Sequence, residues 1–409
     1  MRTLISFFAL FLSVALLQLS SGGVGPLDAL SGIALGFSTA EIGFLGSAHF
    51  AGFFIGCWWA PRLMGSVGHS RAFAAFTVTG AIGLLLHFLI IDPEAWALMR
   101  VASGFCVAGS LTVIEAWLQS KLTNDSRGRA MSIYRIVELG GGLGAQLIIS
   151  VLEPASYVSY NLLALVCCAA ILPLTLTKAP QPAVPAEPRL RPMLAVACSP
   201  LAVLGVVIAA LSSASFRMVG PVYAVEIGLT VKEIAWFLAS FILGGALAQF
   251  PVGWLADKYD RRWILIWLSI GATLVCIATA LVGTEVDKPE IMLLAGLLGV
   301  TSFPIFSVSA AHANDFASDE QRVELAAALM FFFAVGAIAA PFVASTLVQK
   351  FGPAALPLLL AVGHMLLILY GLGRILVRPT RQDRTRYVYA PRTSFLIGKW
   401  LNRNSGSSK

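Results

Sequence analysis

Apolar residues in this chain run in long blocks separated by short polar stretches. A helix needs about 20 consecutive apolar residues to cross the hydrocarbon of a bilayer. Blocks of that kind lie at 4–31, 40–60, 72–91, 95–119, 130–151 and 157–176. After a break they resume at 195–218, 231–255, 263–283, 290–310, 323–348 and 354–376. The pattern predicts an all-α membrane protein with twelve transmembrane helices. The stretch between the two sets, Thr177 to Pro192, is rich in proline and averse to helix. It divides the chain into an N-terminal half (1–176), a linker (177–194), a C-terminal half (195–376) and a tail (377–409). The first block, behind Arg2, also has the look of a secretory signal with Ser20–Gly23 as its cleavage region. The recurrence of equal blocks to the end of the chain makes it the first helix instead.

The halves resemble each other. Val24-Gly25-Pro26 matches Val219-Gly220-Pro221, and Glu41-Ile42 matches Glu233-Ile234. At the offset of the second pair, Leu63 falls on Leu255, Gly68 on Asp260 and Gly104 on Gly296. Two six-helix halves repeated in the same orientation form a parallel repeat, and transporters built this way place substrate near the midplane where the repeats meet.

Composition agrees with the pattern. The 409 residues are 58% hydrophobic and 12% charged, with a mean hydropathy of +0.83. A soluble domain is about a quarter charged, so too little polar surface exists to cover a core of this size. Basic residues fix an orientation. With the N-terminus inside, all but six of the 28 lysines and arginines fall on the inner side or in the tail. Lys232, Lys288 and Lys350 alone fall outside, while Arg100, Arg135 and Arg217 lie within blocks. This asymmetry implies a bacterial-type inner membrane with both termini and the linker in the cytoplasm. The net charge of +7 then concerns topology and anionic lipid at the cytoplasmic face, not nucleic acid. The basic tail reads as an amphipathic helix on that face or as a disordered segment. Tryptophans 58, 59, 96, 117, 236, 254 and 263 sit at block ends, where amphipathic rings prefer the interface.

Candidate chemistry is sparse. The six cysteines form no CxxC pair and read as small apolar side chains, so neither disulfides nor a zinc site is expected. No nucleophile–base set, metal cluster or phosphate-binding glycine loop is visible, so the chain reads as no enzyme and needs no cofactor. What remains is charge inside the membrane, which is costly and usually functional. Glu115, Arg135 and Glu138 lie at similar depth and suggest an inner network, either a structural clamp or a proton relay. Asp28 and Arg217 lie near the outer ends of the first helix of each half, as an outer-gate ion pair or as two independent mouth residues. His49, near mid-depth, is the histidine to test as a proton carrier, whereas His87 and His364 read as packed. Gln146, with Gln18, Asn161 and Gln249, either lines a cavity or bonds between helices.

The loop from Gly253 through Asp257 to Arg261 and Arg262 resembles the signature of the major facilitator superfamily, G-x-L-a-D-r-x-G-r-R, with Asp260 where that family has glycine. The first-half loop carries Gly65 in place of the acid. Arg100 and Gly104 are similar to the family's R-x-x-x-G element, whose arginine faces the cavity and is linked to proton coupling. Gly140–Gly144 resembles the glycine motif of drug:proton antiporters without its proline; it also reads as a helix-packing face. The resemblance implies a monomeric major facilitator fold moving a small organic solute by alternating access with protons. Import and export both stay open. The alternative is a non-transporting receptor or sensor on the same scaffold.

Topology is directly testable. A cysteine placed between Lys178 and Pro192 is expected to resist an impermeant thiol reagent in intact cells and to react after lysis; labelling in intact cells would overturn the orientation.

Overall fold

A backbone N–H or C=O exposed to hydrocarbon has no water to bond, so a spanning segment must satisfy its own polar groups, and a helix does so. The computed structural model describes residues 2–121, 124–176, 190–282 and 287–377, with Thr385 and Tyr387. Helices are the regular structure among the described residues, and the chain forms two compact units, Met1–Glu187 and Pro188–Lys409.

The first unit holds α1 (Arg2–Ala34), α2 (Thr39–Val67), α3 (His69–Leu86), α4 (Pro93–Lys121), α5 (Asn124–Ile148), α6 (Tyr157–Ala169) and a short α7 (Ile171–Thr175). The second opens with a short α8 (Pro192–Cys198) and continues through α9 (Pro200–Glu226), α10 (Val231–Lys258), α11 (Arg261–Val282), α12 (Lys288–Asn314), α13 (Arg322–Phe351) and α14 (Ala355–Val377). Among the described residues, eleven helices are long and apolar enough to cross a membrane. The twelfth long helix, α5, carries Arg135, Glu138 and Gln146 in its apolar part, which lowers its hydropathy. The seventh apolar block is interrupted at Ser199, whose hydroxyl caps α9 by accepting from Ala202 N–H.

Each unit pairs its helices in the same way. In the first, α2 lies along α4, α1 packs on α5 and α6, and α3 packs on α4 and α6. In the second, α10 lies along α12, α9 packs on α13 and α14, and α11 packs on α12 and α14. The Glu41 and Glu233 match has a local cause. Both acids close capping boxes, Glu41 with Ser38 at the start of α2 and Glu233 with Thr230 at the start of α10.

Lipid offers no hydrophobic drive for helix association, so close approach of backbones must supply the contact. At the α2–α4 crossing, a Cβ on Gly52 would strike Val101 O, and one on Gly104 would strike His49 O. At the α10–α12 crossing the same clashes await Gly244 against Gly296 O and Gly299 against Phe241 O. Gly104 therefore corresponds to Gly299 and not to Gly296. The residues ahead of α12 displace its register by just under one turn, so the sequence offset that holds for α2 and α10 fails here.

Two further expectations change. In the glycine run of α5, a Cβ on Gly141 would meet Gln18 and Ala15 and one on Gly144 would reach Leu19, but one on Gly140 or Gly142 would meet nothing within 4 Å among the described residues. The packing face is narrower than four glycines. Trp58, Trp59, Trp236, Trp254 and Trp263 are exposed as interface rings would be, whereas Trp96 and Trp117 are buried. Trp96 turns inward because its indole N–H finds the carbonyls of His87 (2.9 Å) and Ile90 (3.0 Å).

Gly104→Val and Gly299→Val are each expected to cost about 3 kcal/mol, the upper end of overpacking penalties, while Gly140→Ala stays neutral. Thermal melting of the purified variants in detergent checks this, and equal melting points would refute the crossings as backbone contacts.

Candidate functional site

The described part of the first unit contains a buried charge cluster that joins four helices. Asp28 on α1 and Arg100 on α4 are both almost fully buried, with Arg100 Nε 3.3 Å from Asp28 Oδ2. Tyr160 of α6 donates its hydroxyl to Asp28 Oδ1 at 2.7 Å. His87, one residue beyond α3, places Nε2 3.5 Å from the same oxygen and Nδ1 2.7 Å from Gly83 O. Aromatic rings close around the imidazole. Tyr160 stacks on it with centroids 4.8 Å apart and planes at 26°, and Trp96 lies 4.8 Å away on a tilt. Phe37 meets Trp96 edge-on at 5.1 Å. The loop into α6 is tied to α1, since Ala155, in left-handed backbone (φ 53°), donates its N–H to Ser31 Oγ at 2.9 Å.

Arg100 is thus a buried charge with an acid beside it. Its guanidinium is set beside Asp28, and each ion offsets the desolvation of the other. Asp28 is engaged within its own unit by Arg100, His87 and Tyr160. Arg217, on α9, is exposed. His49 is buried on α2, its ring edge-on to Phe50 and its carbonyl at the Gly104 crossing. Gln146 donates to Gly22 O at 3.0 Å and so links α5 to α1.

A second cluster unites the three inner charges. Arg135 bonds Glu138 one turn along α5, and its other terminal nitrogen lies 3.9 Å from Glu115 Oε1 on α4. Tyr134 donates to the same Glu115 oxygen at 3.1 Å, and the Arg135 guanidinium lies 4.8 Å from the Tyr134 ring. Glu115 is wholly buried.

In the second unit the loop between α10 and α11 organises around Arg261, which is 1% exposed. Arg261 Nη1 donates to Asp315 Oδ1 at 2.6 Å and to Ala311 O at 2.8 Å, and Nη2 lies 3.5 Å from Asp257. Thr385, from the tail, donates both N–H and hydroxyl to Asp315 (2.9 Å each) and accepts from Arg261 through its carbonyl. Tyr387 donates its N–H to Asp257 at 2.5 Å and its hydroxyl to Gln249 at 3.2 Å, with its ring against Gly253. The remainder of the tail and residues 177–189 of the linker lie outside the described residues. Burial raises the Asp315 carboxyl above the usual carboxylate range, outweighing the downward pull of Arg261 and Thr385.

Asp260 explains its own departure from the family pattern. It accepts from Arg262 N–H at 3.0 Å as the N-cap of α11 and binds the Arg262 guanidinium at 2.7–3.2 Å. In the first unit the corresponding residue is Gly68 with φ 84°, a backbone that suits glycine, whereas Asp260 has no positive φ.

Sequence patterns pointed to Asp28, Arg100 and the loop arginines but not to His87, Tyr160, Trp96, Asp315 or Thr385. The signal for His87 and Trp96 was present as a polar pair flanking the Ile90–Asp92 turn. Tyr160 and Asp315 come from elements distant in sequence, and no spacing rule connects them to their partners.

Comparison with known proteins follows this geometry. The fold superposes on the nucleoside transporter NupG in a mutant form with a TM-score of 0.77 at 15% identity, covering 91% of this chain and all of that one. A bacterial homologue of the lysosomal transporter Spinster superposes with a TM-score of 0.74 at 16% identity, over 93% and 97% of the two chains. This is the major facilitator fold. A model of the family described as Major Facilitator Superfamily matches residues 202–400. The MFS-type transporter YcaD of Salmonella arizonae is 26% identical over 330 residues, 79% of this chain and 84% of its own length. The MFS-type transporter YE1530 of Yersinia enterocolitica is 24% identical over 326 residues, with the same coverage. These similarities support the major facilitator superfamily, a multi-pass membrane protein, and transport as the class of function rather than catalysis.

Asp315→Asn is expected to cost about 3 kcal/mol, because it leaves the buried Arg261 charge without its nearest carboxylate. Asp257→Asn is expected to cost less than about 1 kcal/mol, since that carboxylate is half exposed. Thermal denaturation of the two purified variants checks the ranking.

Proposed function

We propose that this chain is a secondary active transporter that moves a small organic solute by alternating access, driven by protons. Its membrane is a bacterial inner membrane, with both termini and the linker in the cytoplasm. The observation that carries this reading is the Asp28–Arg100 pair. A buried ion pair contributes little net stability compared with apolar packing of the same volume. Holding two charges inside a membrane unit is therefore reasoned from function: a carboxylate whose proton affinity is set by a fixed guanidinium can answer to solute and proton in turn. The solute is assigned to anionic or zwitterionic organic compounds with a planar part. The basis is the pair of arginines, Arg100 and Arg217, in the halves of α4 and α9 that the charge asymmetry orients outward, together with the chain's aromatic content.

The second charged network, Glu115–Arg135–Glu138, supports either the relay of protons or the clamping of α4 to α5, and neutral variants separate these. If Glu115 or Glu138 carries protons, its Gln variant loses gradient-driven accumulation and keeps solute exchange. If the network is a clamp, both variants lower the melting temperature and leave coupling intact.

The reading as a whole is tested in proteoliposomes under an imposed pH gradient, with a panel of radiolabelled small metabolites and drugs. The wild type is expected to accumulate at least one member of the panel. Arg100→Ala is expected to abolish that accumulation while inserting normally, and Arg100→Lys to restore it in part, because an ammonium lacks the planar donor fork. Normal accumulation by Arg100→Ala would overturn the assignment of the pair, and binding of a panel member without flux would make the chain a receptor.

A further inference from the structure

We propose that the proton-binding site of this protein is the contact between His87 Nε2 and Asp28 Oδ1, with His87 the group that takes up the proton. The proposal rests on the proton-coupled reading above and assigns it to one pair of atoms.

The hydrogen-bond pattern around the imidazole fixes its tautomer. Nδ1 lies 2.7 Å from Gly83 O. A carbonyl oxygen only accepts, so Nδ1 carries a hydrogen and donates it. In a neutral ring the other nitrogen, Nε2, then bears a lone pair. That lone pair faces Asp28 Oδ1 at 3.5 Å, where two acceptors oppose each other. Adding one proton at Nε2 gives this contact a donor, and closing the 3.5 Å gap by part of an ångström makes it a charge-assisted N–H···O bond. Uptake and release of that proton balance by themselves: the proton arrives at the lone pair and leaves from it.

The surroundings suit a group that changes charge. His87 is 1% exposed, so its charge is felt by its neighbours and not screened by water. The titratable or charged groups facing it are Asp28 from α1, Arg100 from α4 and Tyr160 from α6. Along the chain, Asp92 and Glu94 are exposed, and His69 and Arg71 sit at the far end of α3. With His87 neutral, Asp28 and Arg100 cancel. With His87 protonated, the cluster gains one positive charge, and the faces of Tyr160 and Trp96 stabilise it as aromatic rings stabilise a cation. The ring is held in register by the Gly83 bond, and the end of α3 by the Trp96 indole on His87 O. Tyr160 links the site to α6 through the same oxygen that would receive the new hydrogen bond, so protonation places two donors on Oδ1. A change at His87 is thereby transmitted to α1, α4 and α6 together.

Two readouts test this on the full-length protein, the first with the proton itself as the probe. Nitrogen NMR of histidine-labelled protein in nanodiscs, with His87 assigned by His87→Gln, is followed from about pH 9 to about pH 5, the range in which imidazole titrates. Nδ1 is expected to keep its hydrogen throughout, so that any proton the ring gains is found on Nε2. In Asp28→Asn that step is expected to move along the pH axis, because the anion facing the added proton is gone. An Nε2 that stays bare across the range, or a step that Asp28→Asn leaves in place, would overturn the site. The second readout is flux of whichever panel compound the wild type accumulates. His87→Gln is expected to lose accumulation driven by the pH gradient and to retain exchange of the compound across the membrane without a gradient. Accumulation that persists in His87→Gln overturns His87 as the coupling group while leaving the transporter reading intact. A wild type that titrates at His87 yet shows no response to the gradient overturns proton coupling itself.

Discussion

Hydrocarbon cannot hydrate a polar group, and the whole architecture follows from that constraint. Every backbone donor and acceptor in a spanning segment must be satisfied within it, which leaves long helices as the solution for both units. The same constraint acts on side chains. The polar groups that the chain does carry into these helices are drawn together, Asp28 with Arg100, His87 and Tyr160, and Glu115 with Arg135, Glu138 and Tyr134. The first cluster joins helices far apart in sequence and the second joins α4 to its neighbour α5, so the polar groups serve as tertiary connections as well as chemistry.

Because lipid is as apolar as leucine, packing between helices depends on how closely their backbones can approach. The two units solve this at matching places, with Gly52 and Gly104 at the α2–α4 crossing and Gly244 and Gly299 at the α10–α12 crossing. Those crossings set where α4 lies against its neighbours, and hence where Arg100, one turn from Gly104, meets α1. Rigid backbone contact and the placement of the buried charge are one arrangement. A shift of α4 along α2 would carry Arg100 away from Asp28.

The two units differ in what they did with the shared plan. The first unit holds the charge clusters within its helical bundle. The second concentrates charge in the loop between α10 and α11, where Arg261 gathers Asp257, Asp315 and Thr385, and where Asp260 caps α11 in place of a glycine. The corresponding loop of the first unit has Gly65 and Gly68 and lacks both acids. The acid of the loop that resembles the family signature is therefore present in one unit only, as Asp257, and it bonds there to Arg261 at the start of α11 and to Tyr387 from the tail.

The sequence by itself determined the solvent, the number of long helices and the order of their repeat, because these depend on block length and apolar periodicity, which are local. It also exposed Asp28, Arg100, Glu115, Arg135 and Glu138, since a charge in an apolar block is conspicuous without any fold. Only the tertiary structure decided which charges meet. Asp28 is joined to Arg100 and not described by its position at the mouth, and His87, read as a packed residue, faces it at 3.5 Å. The register of Gly104 against Gly299 was likewise hidden, because α11 runs for 22 residues where α3 runs for 18, which shifts α12 by almost a turn and leaves the residue pattern unmarked. Pairing is a property of distances between helices, and those distances are set by the small residues at the crossings, whose effect no single stretch of sequence contains.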